Sequence, residues 1–456
     1  MWLVYDIVVV GSGFSAIAVT INLLQLLPTS SSIAIIGDNR GFGRGTAYRT
    51  EFHLHRLNVP AGRMSVFPDK PDDFLMWLEA KGKGKSGDDF ASRGDYGLYL
   101  RDTLASLLRG HDRAKVSFIK AKATGCVEQY RVGTVFQLDN AAELIAQTVV
   151  FCLGVGNAQL PVSPDGLAAG AKRHIIKNPW RLNWLLRVGE RDRVCVLGSG
   201  LTMIDQVLAL RARGHRGEIR VLSRRGLVPH PHHSHRVSPI KPALPAGQRQ
   251  ISAILGALRR QIREGADWRA VMDGLRPDTQ ALWQELSREQ RARFLRHALP
   301  WWNVHRHRIS PAVFEGFDSL IKNGTVQLHA GFVKSILESQ NGVAVTYRPR
   351  LCDRSASFET DWIVNCTGME RAGVNHSPLL KEMLKAGMIS ADALGLGIAI
   401  DKASRVLDSN GHAQPRMFAV GALTAGQFWE ITAVPDIRVQ AKLVAAAIAS
   451  CPTSAV

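Results

Sequence analysis

The sequence predicts an α/β protein made of two parallel-sheet units, one inserted into the other. Two observations carry this. An apolar run, a glycine cluster and a second apolar run open the chain in DIVVVGSGFSAIAVTINLL (Asp6–Leu24), and the pattern returns in RVCVLGSGLTMIDQVLAL (Arg193–Leu210). Two further apolar runs end in a glycine turn, at Thr148–Pro161 and Asp361–Glu370, and the second unit starts between them. The chain thus leaves one unit after Gly156, builds another around Gly198 and returns before Asp361.

Ile7–Val10 reads as a buried parallel strand, Phe14–Leu27 as a helix stopped by Pro28, and Ser32–Ile36 as the next strand. Phe74–Glu79 and Tyr99–Leu108 read as helices around a Gly/Lys-rich loop at Lys81–Gly87. Val116–Ile119, Gly125–Tyr130 and Val135–Leu138 read as short strands bounded by turn residues. Arg193 opens the second strand–helix–strand unit, which closes with Ile219–Leu222. In 248–299, apolar residues recur at helical spacing and Gly265 and Pro277 break the pattern, giving two or three helices. They either cap a substrate cavity or form a surface insertion. Ile431–Ala449 reads as a turn and then a helix, with Pro435 and Asp436 favourable in its first turn.

A chain of 456 residues has room for two or three domains. Its 46% hydrophobic and 21% charged residues are those of an ordinary globular protein. The N-terminus lacks the basic segment of a signal peptide, and no apolar run approaches membrane-spanning length, so a cytoplasmic protein is expected. The six cysteines are scattered without a Cys-x-x-Cys pair, which argues against a disulfide framework and a dithiol relay. Lys and Arg number 57 against 39 Asp and Glu, a formal charge of +18 that attracts phosphorylated cofactors and acidic surfaces. No nucleic-acid module is recognisable, and no nucleic-acid partner is expected.

Each glycine turn has a chemistry. In Gly11-Ser-Gly13-Phe14-Ser15-Ala16, Gly11 permits the tight turn, Gly13 lets a pyrophosphate approach the backbone, and Ala16 allows close helix packing. The helix N-terminus then offers free N–H groups and a positive dipole end, as in Rossmann-like dinucleotide sites. Asp38 is the acid available after the second strand, either to hold a ribose or to cap its loop. In Gly198-Ser-Gly200-Leu201-Thr202-Met203 a large residue replaces the small one. The following strand ends in Ser223-Arg224-Arg225, a hydroxyl and two guanidiniums suited to the 2′-phosphate of NADP.

GSGFSA (Gly11–Ala16), GRGTAY (Gly43–Tyr48), HRLNVPAGRMSVFPDKPDDFLMWL (His55–Leu78), VLGSGLTMID (Val196–Asp205), LSRRGLVPHPH (Leu222–His232), WWNVHRHRISP (Trp301–Pro311), VNCTG (Val364–Gly368) and the segment Ala419–Ala441 span most of the chain. In these the chain resembles the bacterial FAD/NAD(P)-binding oxidoreductases, two-dinucleotide-domain flavoproteins similar to class B flavin monooxygenases. The resemblance implies a glutathione-reductase-like fold. FAD would bind in 1–175 and 331–456, and NADPH in 176–330. It departs from the family at Ala16, Met203 and Gly37, the last where an acid is usual.

On this resemblance Arg44, Gly45 and Thr46 form a second phosphate clamp, and Met64, Gly154, Thr367, Gly368, Gly421, Trp429, Glu430 and Val434 are cofactor contacts. Asn58 is either a polar group beside the flavin or a turn cap before Pro60. His305, Arg306, His307 and Arg308 form the densest cluster able to move protons and hold anions, or else a basic strip anchored by Trp301 and Trp302. The run His230 to His235 reads as a solvated loop near the cofactor rather than a metal site. The function implied is an NADPH-dependent FAD monooxygenase that oxygenates a small molecule, for example by N-hydroxylation through a C4a-(hydro)peroxyflavin, with molecular oxygen as co-substrate. The alternatives are an NAD(P)H:acceptor oxidoreductase or oxidase, and a flavin-carrying redox sensor.

Overall fold

The structure, a computed structural model, describes the chain except residues 1–2, 38–41, 43, 51, 111, 130–132, 155, 157–158, 246, 248–249, 369–373, 375 and 452–456. The first sheet collects β1 (Leu3–Val10), β2 (Ser32–Ile36), β3 (Lys115–Ile119), β4 (Ala123–Gln129), β5 (Gly133–Leu138) and β6 (Glu143–Phe151). The second holds β7 (Ile175–Ile176), β8 (Val194–Leu197), β9 (Ile219–Ser223), β10 (Val326–Ser339), β11 (Gly342–Pro349), β12 (Ala356–Thr360) and β13 (Trp362–Asn365). The chain then rejoins the first sheet through β14 (Arg405–Leu407) and β15 (Ala413–Ala419).

The two sheets repeat one plan. The first runs β14-β15-β6-β1-β2-β3, with β4 and β5 attached beside β6, and the second runs β12-β11-β10-β9-β8-β13-β7. In each, the opening strand lies between the strand after its helix and a later strand of the unit, β6 in the first and β13 in the second. β1 pairs in parallel with β2 and β6, and β8 with β9 and β13. The opening strands are apolar throughout where buried on both faces, with Val8, Val9, Val196 and Leu197 fully buried.

Helices cover the faces. In the first unit these are α1 (Phe14–Leu26), the short α2 (Gly45–Tyr48), α3 (Asp73–Ala80) and α4 (Arg93–Leu108). α5 (Leu201–Ala212) crosses from β8 to β9. Ser92 Oγ caps α4 by accepting from Asp95 N–H at 3.0 Å, so the helix begins six residues before the expected Tyr99. The insertion is α6 (Ile251–Arg263), α7 (Trp268–Leu275), α8 (Thr279–Glu285) and α9 (Arg288–His297), followed by α10 (Leu299–Arg306) and α11 (Pro311–Lys322). Gly265 and Pro277 separate helices as expected, but Ser287 caps a further one, giving four where two or three were read. α12 (Pro378–Lys385) and α13 (Val434–Ala449) complete the first unit.

One boundary moves. β10 pairs with β9 in parallel and doubles back antiparallel onto β11 and β12, so 326–365 stays in the second sheet. The chain returns after Asn365, neither at 331 nor before Asp361. An alternating apolar pattern specifies a half-buried strand without saying which sheet edge it extends.

Candidate functional site

Gly11 has φ +132°, and a Cβ there would stand 2.4 Å from the Cys152 carbonyl oxygen at the end of β6. Its N–H donates to the Ile36 carbonyl at 2.9 Å, tying the turn to β2. No side chain caps α1, whose N-cap is Gly13, so its first N–H groups remain for a ligand. Gly45 faces that end: a Cβ on it would lie 3.2 Å from Gly13 Cα, while the Arg44 side chain runs along α4, its Cδ 2.8 Å from where a Gly97 Cβ would stand. The return segment closes the site from the other side. A Cβ on Gly421 would meet Ser15 Oγ at 2.3 Å, and the Gly421 N–H donates to Gln440 Oε1 on α13 at 2.9 Å. Gly37 is explained sterically, since a Cβ there would lie 2.4 Å from Ser12 Cβ. Phe14 and Ala16 pack in the core, and Gly154 stands open just beyond β6. Asp38 lies outside the described residues.

The second unit repeats this geometry. Gly198 has φ +99°, a Cβ on it would reach the Cys366 carbonyl oxygen at 2.3 Å, and its N–H donates to Leu222 at 2.9 Å. Gly200 has open space where its Cβ would be, and α5 has no side-chain cap. Thr202 lies in the first turn of α5. Thr367 and Gly368 adjoin this second turn, with Thr367 Oγ1 donating to Asn365 Oδ1 at 2.7 Å. Ser223 Oγ lies 2.9 Å from Ser199 Oγ and accepts from Gly226 N–H at 3.0 Å, so it shapes the turn rather than presenting a hydroxyl outward. Arg224 is exposed and Arg225 half-buried beside it. Both turns thus have the close backbone approach and uncapped helix end that a pyrophosphate needs.

Between them is a cavity of about 190 Å³. Asn58, Met64, Leu201, Arg306, His307, Glu430 and Val434 all line it, seven of the residues singled out from sequence. Val434 opens α13, whose N-terminus is also free of side-chain caps. Glu430 is held at φ +63°, a strained conformation for a non-glycine residue. It accepts from Trp302 Nε1 at 2.6 Å and from Arg306 Nε at 2.9 Å, with His307 Nε2 at 3.5 Å. Burial, with Arg306 and Arg276 nearby, pushes His307 below its ordinary pKa against the pull of Glu430.

Other expected residues lie elsewhere. His305 turns away from the cavity, its ring 4.8 Å from His230 and 4.9 Å from Trp268, with Nδ1 2.8 Å from the Trp301 carbonyl. Trp429 stacks on Trp283 at 4.5 Å and belongs to the core of the helical insertion. Sequence reasoning missed Arg63, Arg93, Asp273 and Arg276, which line the same cavity together with Arg308 of the His305 cluster and with His232, read from sequence as part of a solvated loop. His232 Nε2 donates to the Asn58 carbonyl at 3.0 Å, and burial beside Arg308 lowers its pKa to about 4. Arg276 pairs with Asp436 at 3.3 Å, and Arg308 with Asp273. Arg93 on α4 reaches Asp205 on α5 at 2.8 Å, a buried ion pair joining the two units. These contacts are distant in sequence, and only the fold assembles them.

Residues 8–156 match the family model described as FAD-NAD(P)-binding. No curated protein sequence gives a significant match. Among solved structures, an ornithine hydroxylase from Pseudomonas aeruginosa superposes with a TM-score of 0.67 at 12% identity, over 98% of this chain and 99% of that one. L-lysine 6-monooxygenase from Pseudomonas syringae gives 0.67 at 18% identity, over 97% and 99%. A bacillithiol disulfide reductase from Bacillus cereus gives 0.54 at 15% identity, over 98% and 99%. No described helix is long and apolar enough to cross a membrane. The chain thus carries an FAD-NAD(P)-binding domain at 8–156 and, over nearly its whole length, has the fold of an ornithine hydroxylase, a lysine monooxygenase and a bacillithiol disulfide reductase.

Proposed function

We propose that the protein is a cytoplasmic, NADPH-dependent FAD monooxygenase that hydroxylates a small molecule, most simply at nitrogen. The observation that carries this reading over disulfide reduction is the chemistry of the cysteines. Cys126, Cys152, Cys195 and Cys366 are buried, with thiols pushed up to about 12 or beyond by burial, and no cysteine lines the cavity. No thiol pair is set to take electrons from a flavin. The hydroxylases that share the fold at TM-score 0.67 support the same side of the choice.

When bound, FAD and NADPH supply two-electron reduction and activation of O₂. The chain's own residues do the rest. The uncapped ends of α1 and α5 bind the two pyrophosphates, and Arg224 and Arg225 hold the 2′-phosphate. The uncapped N-terminus of α13 at the cavity would favour negative charge on a group bound there. Asn58 and Met64 fix one wall of the cavity, and Glu430, saturated by Trp302 and Arg306, fixes the other. His307, its pKa lowered by burial, accepts a proton from the substrate's reacting group at the cavity wall.

The test is to supply amines, amino acids and sulfides to the yellow protein with NADPH in air. Substrate-stimulated NADPH consumption with a product heavier by one oxygen atom is expected. Reoxidation by disulfides or quinones alone, with no oxygenated product, overturns the reading.

A further inference from the structure

A second cleft of about 700 Å³ opens where the units meet and belongs to neither dinucleotide cradle. One wall is 54–63 and 85–90 of the first unit, and the other is 232–237 and 308–316 of the second. It adjoins the smaller cavity, sharing Pro60, Arg63, His232, Asp273 and Arg308 with it. Among its lining residues Lys and Arg outnumber Asp five to three.

Three features there converge on an anion. The first turn of α11 lines the cleft, and its N-cap Ser310 makes no side-chain cap bond. Arg308 is only 3% exposed, and while one edge of its guanidinium pairs with Asp273, its buried Nε has no partner among the described residues. A buried charged donor left unmatched calls for a ligand. Arg63, exposed at the junction of the two cavities, forms no ion pair among the described residues.

We propose that this cleft binds the carboxylate or phosphate of the molecule to be oxidised, through Arg63, Arg308 and the α11 N-terminus, while its reacting end enters the smaller cavity. The substrate is then an anion-bearing small molecule. This role rests on the hydroxylation reading, but the binding can be tested without turnover.

The experiment is isothermal titration of the FAD-loaded full chain with succinate and with inorganic phosphate, using 1,4-diaminobutane and 1,4-butanediol as cationic and neutral controls. Saturable binding of an anion is expected, and the anion that binds identifies the group. Arg63→Ala weakens it about tenfold or more, the worth of one charge-assisted hydrogen bond, Arg63→Lys and Arg308→Lys keep part of it, and Arg354→Ala, an exposed arginine that lines neither cavity, leaves it unchanged. Lack of saturation with either anion, an unaffected Arg63→Ala, or equal loss in Arg354→Ala overturns the proposal. If the anion binds as expected while no substrate is ever oxygenated, the site stands and the hydroxylation reading falls.

Discussion

At the residue scale, single atoms decide whether a dinucleotide enters. Gly11→Ala puts a Cβ against the Cys152 carbonyl at a φ that L-residues avoid. We expect flavin affinity about tenfold weaker or worse, from roughly 1–3 kcal/mol of backbone strain before any clash, read as the ratio of flavin to protein absorbance after purification. Arg224→Ala should lower the preference for NADPH over NADH by about tenfold, because one charge-assisted contact is lost. Unchanged KM values for both coenzymes would remove Arg224 from the 2′-phosphate site. His232 gives a pH dependence with a definite sign. Its pKa is about 4 when folded against an ordinary 6.5, so the unfolded chain binds the extra proton between these values. Its contribution, about 3 kcal/mol, is complete above pH 6.5 and disappears as the pH falls towards 4. Denaturant titrations across this range should show a shallower acid loss in His232→Asn than in the parent.

At the element scale, Glu430 joins α10 to the approach of α13. Trp302 and Arg306 on α10 both donate to its carboxylate, and the backbone is held at positive φ to allow it. Glu430→Gln removes the charge but little volume, leaving Arg306 buried without its acid. We expect a loss of about 3 kcal/mol or more in denaturant unfolding and a misplaced α13 N-terminus, seen as a shifted flavin absorption band. The sequence was readable at this scale wherever one local rule sufficed. The two strand–glycine–helix units could be placed because apolar periodicity, turn glycines and helix starts are all properties of neighbouring residues. β10 to β12 were put in the wrong unit because sheet choice depends on partners remote in the chain. His305 shows the same gap. It directly precedes two cavity-lining side chains, Arg306 and His307, yet its place on α10 points it towards His230 and Trp268.

At the scale of the whole molecule, the Arg93–Asp205 pair matters most. Its side chains are 8% and 5% exposed, and it links α4 of one unit to α5 of the other. Nothing near either residue in the sequence announces the pair. Removing one partner alone, as in Arg93→Met or Asp205→Leu, should cost roughly 3–5 kcal/mol, and replacing both should cost much less, because a lone buried charge is worse than none. A double-mutant cycle on unfolding free energy measures the coupling, and a value below about 0.5 kcal/mol would show that the pair does not hold the units together.

The nested topology has a mechanical consequence. The inserted unit is entered and left on neighbouring strands, β7 beside β13, and the two connecting segments approach where Thr367 Oγ1 lies 3.5 Å from the Gln159 carbonyl. Two tethers placed side by side permit a swing about one axis and resist sliding or twisting. The inserted half would therefore travel on a single arc, with Arg93–Asp205 as the latch that sets where the arc stops.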